Sequence, residues 1–343
     1  MKLAVEDSTV GLDETPGRLL HVDPRQGTLA DTRIDALPEL LHPGDLLVVN
    51  DAATLPAARP GTVRGEPVEL RLAGEEPDGT WRAVSFGAGD WRTPTESRPP
   101  PPDLAPGDAL DLGPGLHARV VSRSELSARL VEIRFDTPRD RFWSALYRHG
   151  RPVQYAYEPL PLALGRVQTP YAARPWASEM PSAGRPLRLD LLTRLRARGV
   201  RLASLTHAAG LSSTGDPALD AALPLPERYE IPPATVAAVA EARSRGGRVV
   251  AVGTTVVRAL EGATRSAGGD LLPGSGITDL RIGRGFEPRV VNGLLSGIHG
   301  RDSSHFELLS AFLPGPFALL YTLHVITGRY RGHEFGDSTL VLG

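Results

Sequence analysis

The stretch Val250 to Ala263, VAVGTTVVRALEGA, reads as a strand, a turn at Gly253, and a helix that opens on Thr254 and Thr255. Free N–H groups and the positive end of the dipole at such a start favour an anion or a carboxylate. Arg258 lies on the same helical face as Thr254, where its guanidinium can take a carboxylate or phosphate in two hydrogen bonds. An ordinary helix fits the same residues, with Thr254 as N-cap and Arg258 paired to an acid such as Glu261. A second segment, LASLTHAAGLSST, delivers His207 from a strand end into a loop of small residues. An imidazole there can carry a proton near neutral pH, hold a ligand, or serve only the structure. A third, GLLSGIHGRDSSHFELLSAF, gathers His299, Asp302, Ser303, Ser304 and His305 before a helix, in a spacing that fits no metal-ligand set. In the fourth, RYRGHEFGDSTLVL, Tyr330, Asp337 and Ser338 surround a turn at Gly336; a closing loop and final strand explains it equally well.

Other chemistries have no support. The chain has no cysteine, which removes disulfides, thiolate catalysis and cysteine-held zinc or iron–sulfur centres. It has no G-x-S-x-G elbow, no phosphate loop of the G-x-x-x-x-G-K type, no H-E-x-x-H and no G-x-G-x-x-G after a strand. A net charge of −2 gives no global basic field, so a nucleic-acid partner has to be met by a local patch. With 41% hydrophobic and 23% charged residues, no membrane-length apolar run and an early acidic start, a globular cytoplasmic protein with no membrane partner is expected.

The elements that position these residues fall into two textures. In LPELLHPGDLLVVNDAATLPA, Leu37 to Leu41 reads as a short helix and Leu46 to Val49 as a buried strand. From about Thr62 to Phe135, short β-rich runs (TVRGEPVELRLA, WRAVSFG, HARVVSR, ARLVEIRF) recur between turns without helical periodicity, as in a small barrel or sandwich. Its proline-rich segment, residues 94–108, reads as a stiff surface connector. After Arg139, helices (LDLLTRLRARGV, PPATVAAVAEARSRGG) alternate with strands (VRLASLTH, RVVAVG), which indicates parallel α/β units. A chain of 343 residues exceeds one ordinary core. The simplest organisation is a discontinuous α/β domain of residues 1–60 and 140–343 with an inserted all-β domain of residues 61–139. In the α/β part, ligands are expected beyond the carboxyl ends of the strands, where all four segments lie.

Taken in order, PELLHPGDLLVVND, VQTPYA, PSAG, LTH, ERYEIP, VGTTVVRALE, ITDL, VVNGLLSGIH, LLSAF and FGDSTL resemble the blocks of one family, the S-adenosylmethionine:tRNA ribosyltransferase-isomerases of queuosine biosynthesis. The resemblance implies a barrel-like α/β domain carrying an inserted β-barrel. It also implies transfer of the ribosyl unit of S-adenosylmethionine to 7-aminomethyl-7-deazaguanine in tRNA and its rearrangement to the epoxycyclopentanediol, with release of adenine and methionine. S-adenosylmethionine is then a substrate, tRNA a partner, no metal or redox cofactor is required, and a monomer is expected. On this reading Gly253, Thr254, Thr255 and Arg258 hold the methionine carboxylate or the ribose, His207 or His299 carries the proton, and Asp279 orients one of them. Tyr330 or Phe312 stacks on adenine, and Gln168, Tyr171, Ser310 and Asp337, from other family blocks, also contact substrate.

The chain departs from the pattern in block cores. T-A-G-L-H-F is replaced by Ser182 to Leu187 with Pro186 at the histidine, H-S-E by Leu225-Pro226-Glu227, and the block after His207 ends Leu211-Ser212-Ser213. The V-G-T-T-x-x-R-x-L-E block is intact. The pattern implies a retained S-adenosylmethionine pocket beside an altered acceptor side. A small-molecule acceptor, cleavage without tRNA, and a non-catalytic nucleoside- or RNA-binding homologue are the alternatives.

Overall fold

The fold is that of a computed structural model, which describes residues 17–301, 303–332 and 334–343. Asp302 and the acidic start of the chain lie outside the described residues.

The apolar run Leu46–Asn50 is buried at every position. Such runs belong to strands covered on both faces. Leu46 and Val48 face one core with Val249, Ala251, Leu294, and the helices Pro233–Ser244 and Thr254–Ser266. Leu47 and Val49 face the other, with Val250, Val252, Leu295 and the helix Leu189–Ala197. Four parallel strands form this centre, in the order Arg201–His207, Leu46–Asn50, Val249–Val252, Gly293–Gly297. Glu227–Ile231 and Gly274–Thr278 extend it antiparallel on one side. On the other side Ser338–Leu342 runs antiparallel, Arg18–Asp23 parallel to it, and Thr28–Arg33 antiparallel again. Wholly parallel α/β units are therefore found only at the centre. The ladder of nine strands ends at Gly274–Thr278 and Thr28–Arg33, so this sheet is open in its hydrogen bonding rather than a closed α/β barrel.

The β-rich segment closes on itself. Its six strands, Ala58–Val63, Glu66–Glu75, Trp81–Phe86, Ala109–Asp111, His117–Arg123 and Leu130–Phe135, form a closed barrel. The helix Arg139–His149 adds Phe142 and Leu146 to the barrel core. The proline-rich segment is not a surface connector along its whole length: Thr95, Arg98 and Leu104 are buried, and Gly87 packs so close to Pro100 that a Cβ there would come within 2.3 Å of its carbonyl.

Candidate active site

The parallel strands end on one edge of the sheet and bring distant polar residues together there. Asn50, the last residue of Leu46–Asn50, brackets the end of the neighbouring strand: its Oδ1 accepts the His207 N–H at 2.9 Å and its Nδ2 donates to the His207 carbonyl at 2.9 Å. The same Nδ2 reaches Thr255 Oγ1 at 3.3 Å. The His207 backbone and the helix start are thus tied by one amide. Asp51 accepts from Ser204 at 3.0 Å and Thr206 at 2.6 Å, which fixes the strand on its other side.

At the opening stretch, Gly253 occupies the N-cap position with φ 91° and ψ 156°, and no side chain caps the helix. Thr254 is therefore the first helical residue rather than the cap, and both threonines are half-buried at the helix start. Arg258, 5% exposed, turns inward. Its guanidinium forms an ion pair with Glu227 and donates to the Leu280 carbonyl at 3.0 Å. Glu261 is not its partner. That carboxylate is fully buried, accepts the backbone N–H groups of Arg289, Val290 and Val291, and pairs with Arg265 at 2.8 Å.

His207 is wholly buried, and its Nε2 lies 3.5 Å from Glu227 Oε2. Glu227 Oε1 accepts the Gly210 N–H at 2.6 Å, so the carboxylate is gripped from three directions. Burial lowers the His207 pKa to about 4; Glu227 opposes this and Arg258 adds to it. The imidazole is neutral near pH 7 and able to accept a proton. His299 lies beyond the strand Gly293–Gly297, its Nε2 2.8 Å from Ser296 Oγ, and its ring stacks on His305 at 5.0 Å between centroids. Desolvation lowers its pKa to about 3, and the neighbouring His305 contributes. Burial lowers His305 as well, and the charges of Glu227 and Arg258 both reach it. Three neutral imidazoles, one carboxylate and one guanidinium thus share a poorly hydrated region.

The other expected residues lie apart from this cluster or serve the backbone. Asp279 is exposed, and the acid placed against His207 is Glu227. The Gln168 amide clamps Thr54, accepting its N–H and donating to its carbonyl at 2.9 Å each. The Tyr171 hydroxyl packs against Gly184, and burial first, then Asp51, pushes its pKa up. Ser310 donates to the Glu307 carbonyl at 2.6 Å and lines a separate cavity of about 410 Å³ with Arg284 and Arg301. Phe312 is packed in the apolar core under the sheet. Tyr330 donates to Asp31 and carries the Arg18 guanidinium 3.8 Å from its ring centroid. Asp337 accepts the N–H groups of Arg18 at 3.2 Å and Arg331 at 2.9 Å. Sequence reasoning missed Asn50 and gave Glu227 no role. Asn50 carried a signal, since a polar residue closing an apolar strand stands at the ligand edge of an α/β sheet. Among the described residues, no three His, Asp or Glu side chains converge as a metal-binding group.

Comparison with known proteins gives the family of the chain. The family profile described as "Queuosine biosynthesis protein" matches residues 12–341. The S-adenosylmethionine:tRNA ribosyltransferase-isomerase of Thermosynechococcus vestitus is 37% identical over 92% of this chain and 86% of its own length. Its namesake in Thermus thermophilus is 37% identical over 92% and 89%. The crystal structure of an S-adenosylmethionine tRNA ribosyltransferase from Thermotoga maritima is similar in fold, with a TM-score of 0.50, 23% identity and coverage of 95% and 93%. Block order, the mixed sheet with its closed barrel, and full-length similarity lead to one statement: the chain belongs to the queuosine biosynthesis protein family.

Proposed function

We propose that the chain is an S-adenosylmethionine-dependent ribosyltransferase-isomerase, which transfers and rearranges the ribosyl unit of S-adenosylmethionine onto 7-aminomethyl-7-deazaguanine in tRNA and releases adenine and methionine. The observation that carries this reading is the neutral, buried His207 held beside the Glu227–Arg258 pair and tied through Asn50 to the Gly253–Thr255 turn. The sulfonium acidifies the adjacent ribose carbon. His207 is the base for that proton, and Glu227 stabilises the imidazolium that results. The N–H groups of the helix start, with Thr254 and Thr255, hold the methionine carboxylate. Arg258 holds Glu227 in place through their ion pair, and meets the substrate carboxylate only if that pair opens. His299 is the second candidate for the proton.

The same reading takes residues 1–60 and 140–343 as the catalytic domain and 61–139 as the inserted one. It requires no metal or redox cofactor, and it sets the reaction in the cytoplasm, on a monomer. Among the described residues no helix is long and apolar enough to cross a membrane.

The test is incubation of the protein with S-adenosylmethionine, with and without precursor tRNA, followed by chromatography of adenine and methionine. Release that depends on the precursor tRNA is expected. Release at the same rate without tRNA moves the activity to a small-molecule acceptor or to simple cleavage, and tight binding without turnover overturns the enzymatic reading.

A further inference from the structure

The cavity of about 410 Å³ beside the histidine cluster falls within the ~300–1,000 Å³ of small-molecule sites. Three segments of the site edge build it. Arg301 follows His299 beyond the strand Gly293–Gly297, Gly283 and Arg284 follow Leu280, whose carbonyl holds Arg258, and Phe306 follows His305 in the helix Ser304–Ser310. Ala318 and Leu319, from the helix Phe317–Thr327, close the remaining side.

The polar groups of this lining are two guanidiniums, one carboxylate and one hydroxyl. Ser310 donates its proton to the Glu307 carbonyl and so offers only acceptor lone pairs. Arg284 and Arg301 are exposed and, among the described residues, their guanidiniums enter no ion pair or hydrogen bond. Glu307, the one acid of the lining, is exposed and pairs with neither, which leaves the cavity with a net positive charge. Elsewhere in the sheet body acids hold the arginines: Arg248 meets Asp45, Arg258 meets Glu227 and Arg265 meets Glu261. Two free forks on one cavity fit a phosphate, which each can take in two hydrogen bonds. Beside them Phe306 and Leu319, the latter 52% exposed, supply an apolar wall for a sugar. Because both guanidiniums open to solvent, a strand can run past them, and a net charge of −2 leaves RNA to be met by such a local patch.

We infer that this cavity is a phosphate subsite for the RNA strand: Arg284 and Arg301 clamp one backbone phosphate beside the base being modified, and Phe306 and Leu319 cover its sugar. The inference rests on tRNA as the acceptor, as proposed above. Phosphate contacts carry no sequence information and fix register instead, so the pair sets which nucleotide reaches the histidine cluster.

The full-length protein and its Arg284→Gln/Arg301→Gln double variant are titrated with precursor tRNA over a range of salt, with near-ultraviolet circular dichroism to establish folding. Arg243→Gln, in the last turn of Pro233–Ser244 beside the strand starts, is the control. The double variant is expected to bind about 10- to 100-fold more weakly, with the KM for S-adenosylmethionine within about twofold. Its slope of log affinity against log salt flattens by about 0.7–0.9, the share of one phosphate. Arg284→Lys/Arg301→Lys keeps the charge and recovers that slope with part of the affinity. Unchanged affinity and slope overturn the inference, as does an equal loss of slope in Arg243→Gln. A raised KM for S-adenosylmethionine without weaker tRNA binding makes this a carboxylate site and overturns it too. So does binding of guanosine 5′-monophosphate that the double variant loses while tRNA affinity stays put, since the cavity then belongs to a free nucleotide. Binding needs no turnover, so the two readings fail separately. Loss of tRNA affinity and slope in a protein that releases no adenine keeps the subsite and drops the reaction, whereas tRNA-dependent adenine release with an unmoved slope drops the subsite alone. A wild type that binds no tRNA overturns both.

Discussion

His207 sits between two opposite charges, and burial decides its state. Its pKa in the folded protein, about 4, lies below the 6.5 of the unfolded chain. Between those values the unfolded chain binds the extra proton, so stability from this group is complete above pH 6.5 and is lost as pH falls toward 4. One such proton gives a slope of about 1.4 kcal/mol per pH unit. Urea unfolding between pH 7 and 4.5 is expected to show His207→Gln less acid-sensitive than the wild type by about that slope; equal slopes would assign the acid sensitivity to other groups, His299 and His305 among them. The Glu227–Arg258 pair calls for a different experiment. Removing one member of a buried pair leaves a lone charge and costs about 3–5 kcal/mol, whereas replacing both is often near neutral. Glu227→Gln and Arg258→Met are each expected to fall in that range, and the double variant to recover most of the loss in a double-mutant cycle. Additive losses would mean that the two side chains act on stability independently.

At the scale of elements, the opening turn and the loop before Gly293–Gly297 do most to place the site. Gly253, at φ 91° and ψ 156°, lies in a region that glycine alone adopts readily. An added Cβ would find Ala183 at 3.4 Å, an ordinary contact, so the penalty of Gly253→Ala is conformational, about 1–3 kcal/mol. It should also raise the KM for S-adenosylmethionine by re-aiming Thr254 and Thr255; a urea midpoint and KM like the wild type's would deny the turn this role. Glu261 anchors the second loop. Glu261→Ala leaves the buried N–H groups of Val290 and Val291 without their acceptor, at about 1–3 kcal/mol each. A thermal midpoint unchanged from the wild type would show that the loop finds other acceptors. These elements differ in how far they could be read beforehand. Leu46–Asn50 and Pro233–Ser244 were legible because continuous apolar runs and a helical period are written in neighbouring residues. Gly274–Thr278 was not, because GSGIT carries no apolar run and becomes a strand only by pairing with Glu227–Ile231. Glu227 was hidden for a related reason. A carboxylate at a strand start looks solvated until Arg258, 31 positions on, folds against it.

Across the whole molecule, the inserted barrel and the sheet are joined by more than their two connections. Leu211 and Leu219, which follow the His207 strand, and Tyr155 are buried in the same apolar cluster as the barrel residues Leu70, Trp81 and Ile133. Polar contacts cross the same boundary: Arg82 donates to the Pro226 carbonyl at 2.6 Å, and Ser127 donates to Asp216 at 2.8 Å. Two bodies sharing a dry core lose it together, because opening either one exposes the apolar surface of the other. Differential scanning calorimetry is therefore expected to show one transition, with equal calorimetric and van't Hoff enthalpies, although the topology describes a barrel inserted into a sheet. Leu211→Ala cuts into the shared cluster and should lower that single transition by about 2–5 kcal/mol without splitting it. Two resolved transitions in the wild type would mean that the barrel unfolds by itself. The cavity lined by Glu75 of the barrel and Glu227 of the sheet would then exist only while the two bodies stay docked, and turnover should disappear at the lower transition while the sheet is still folded.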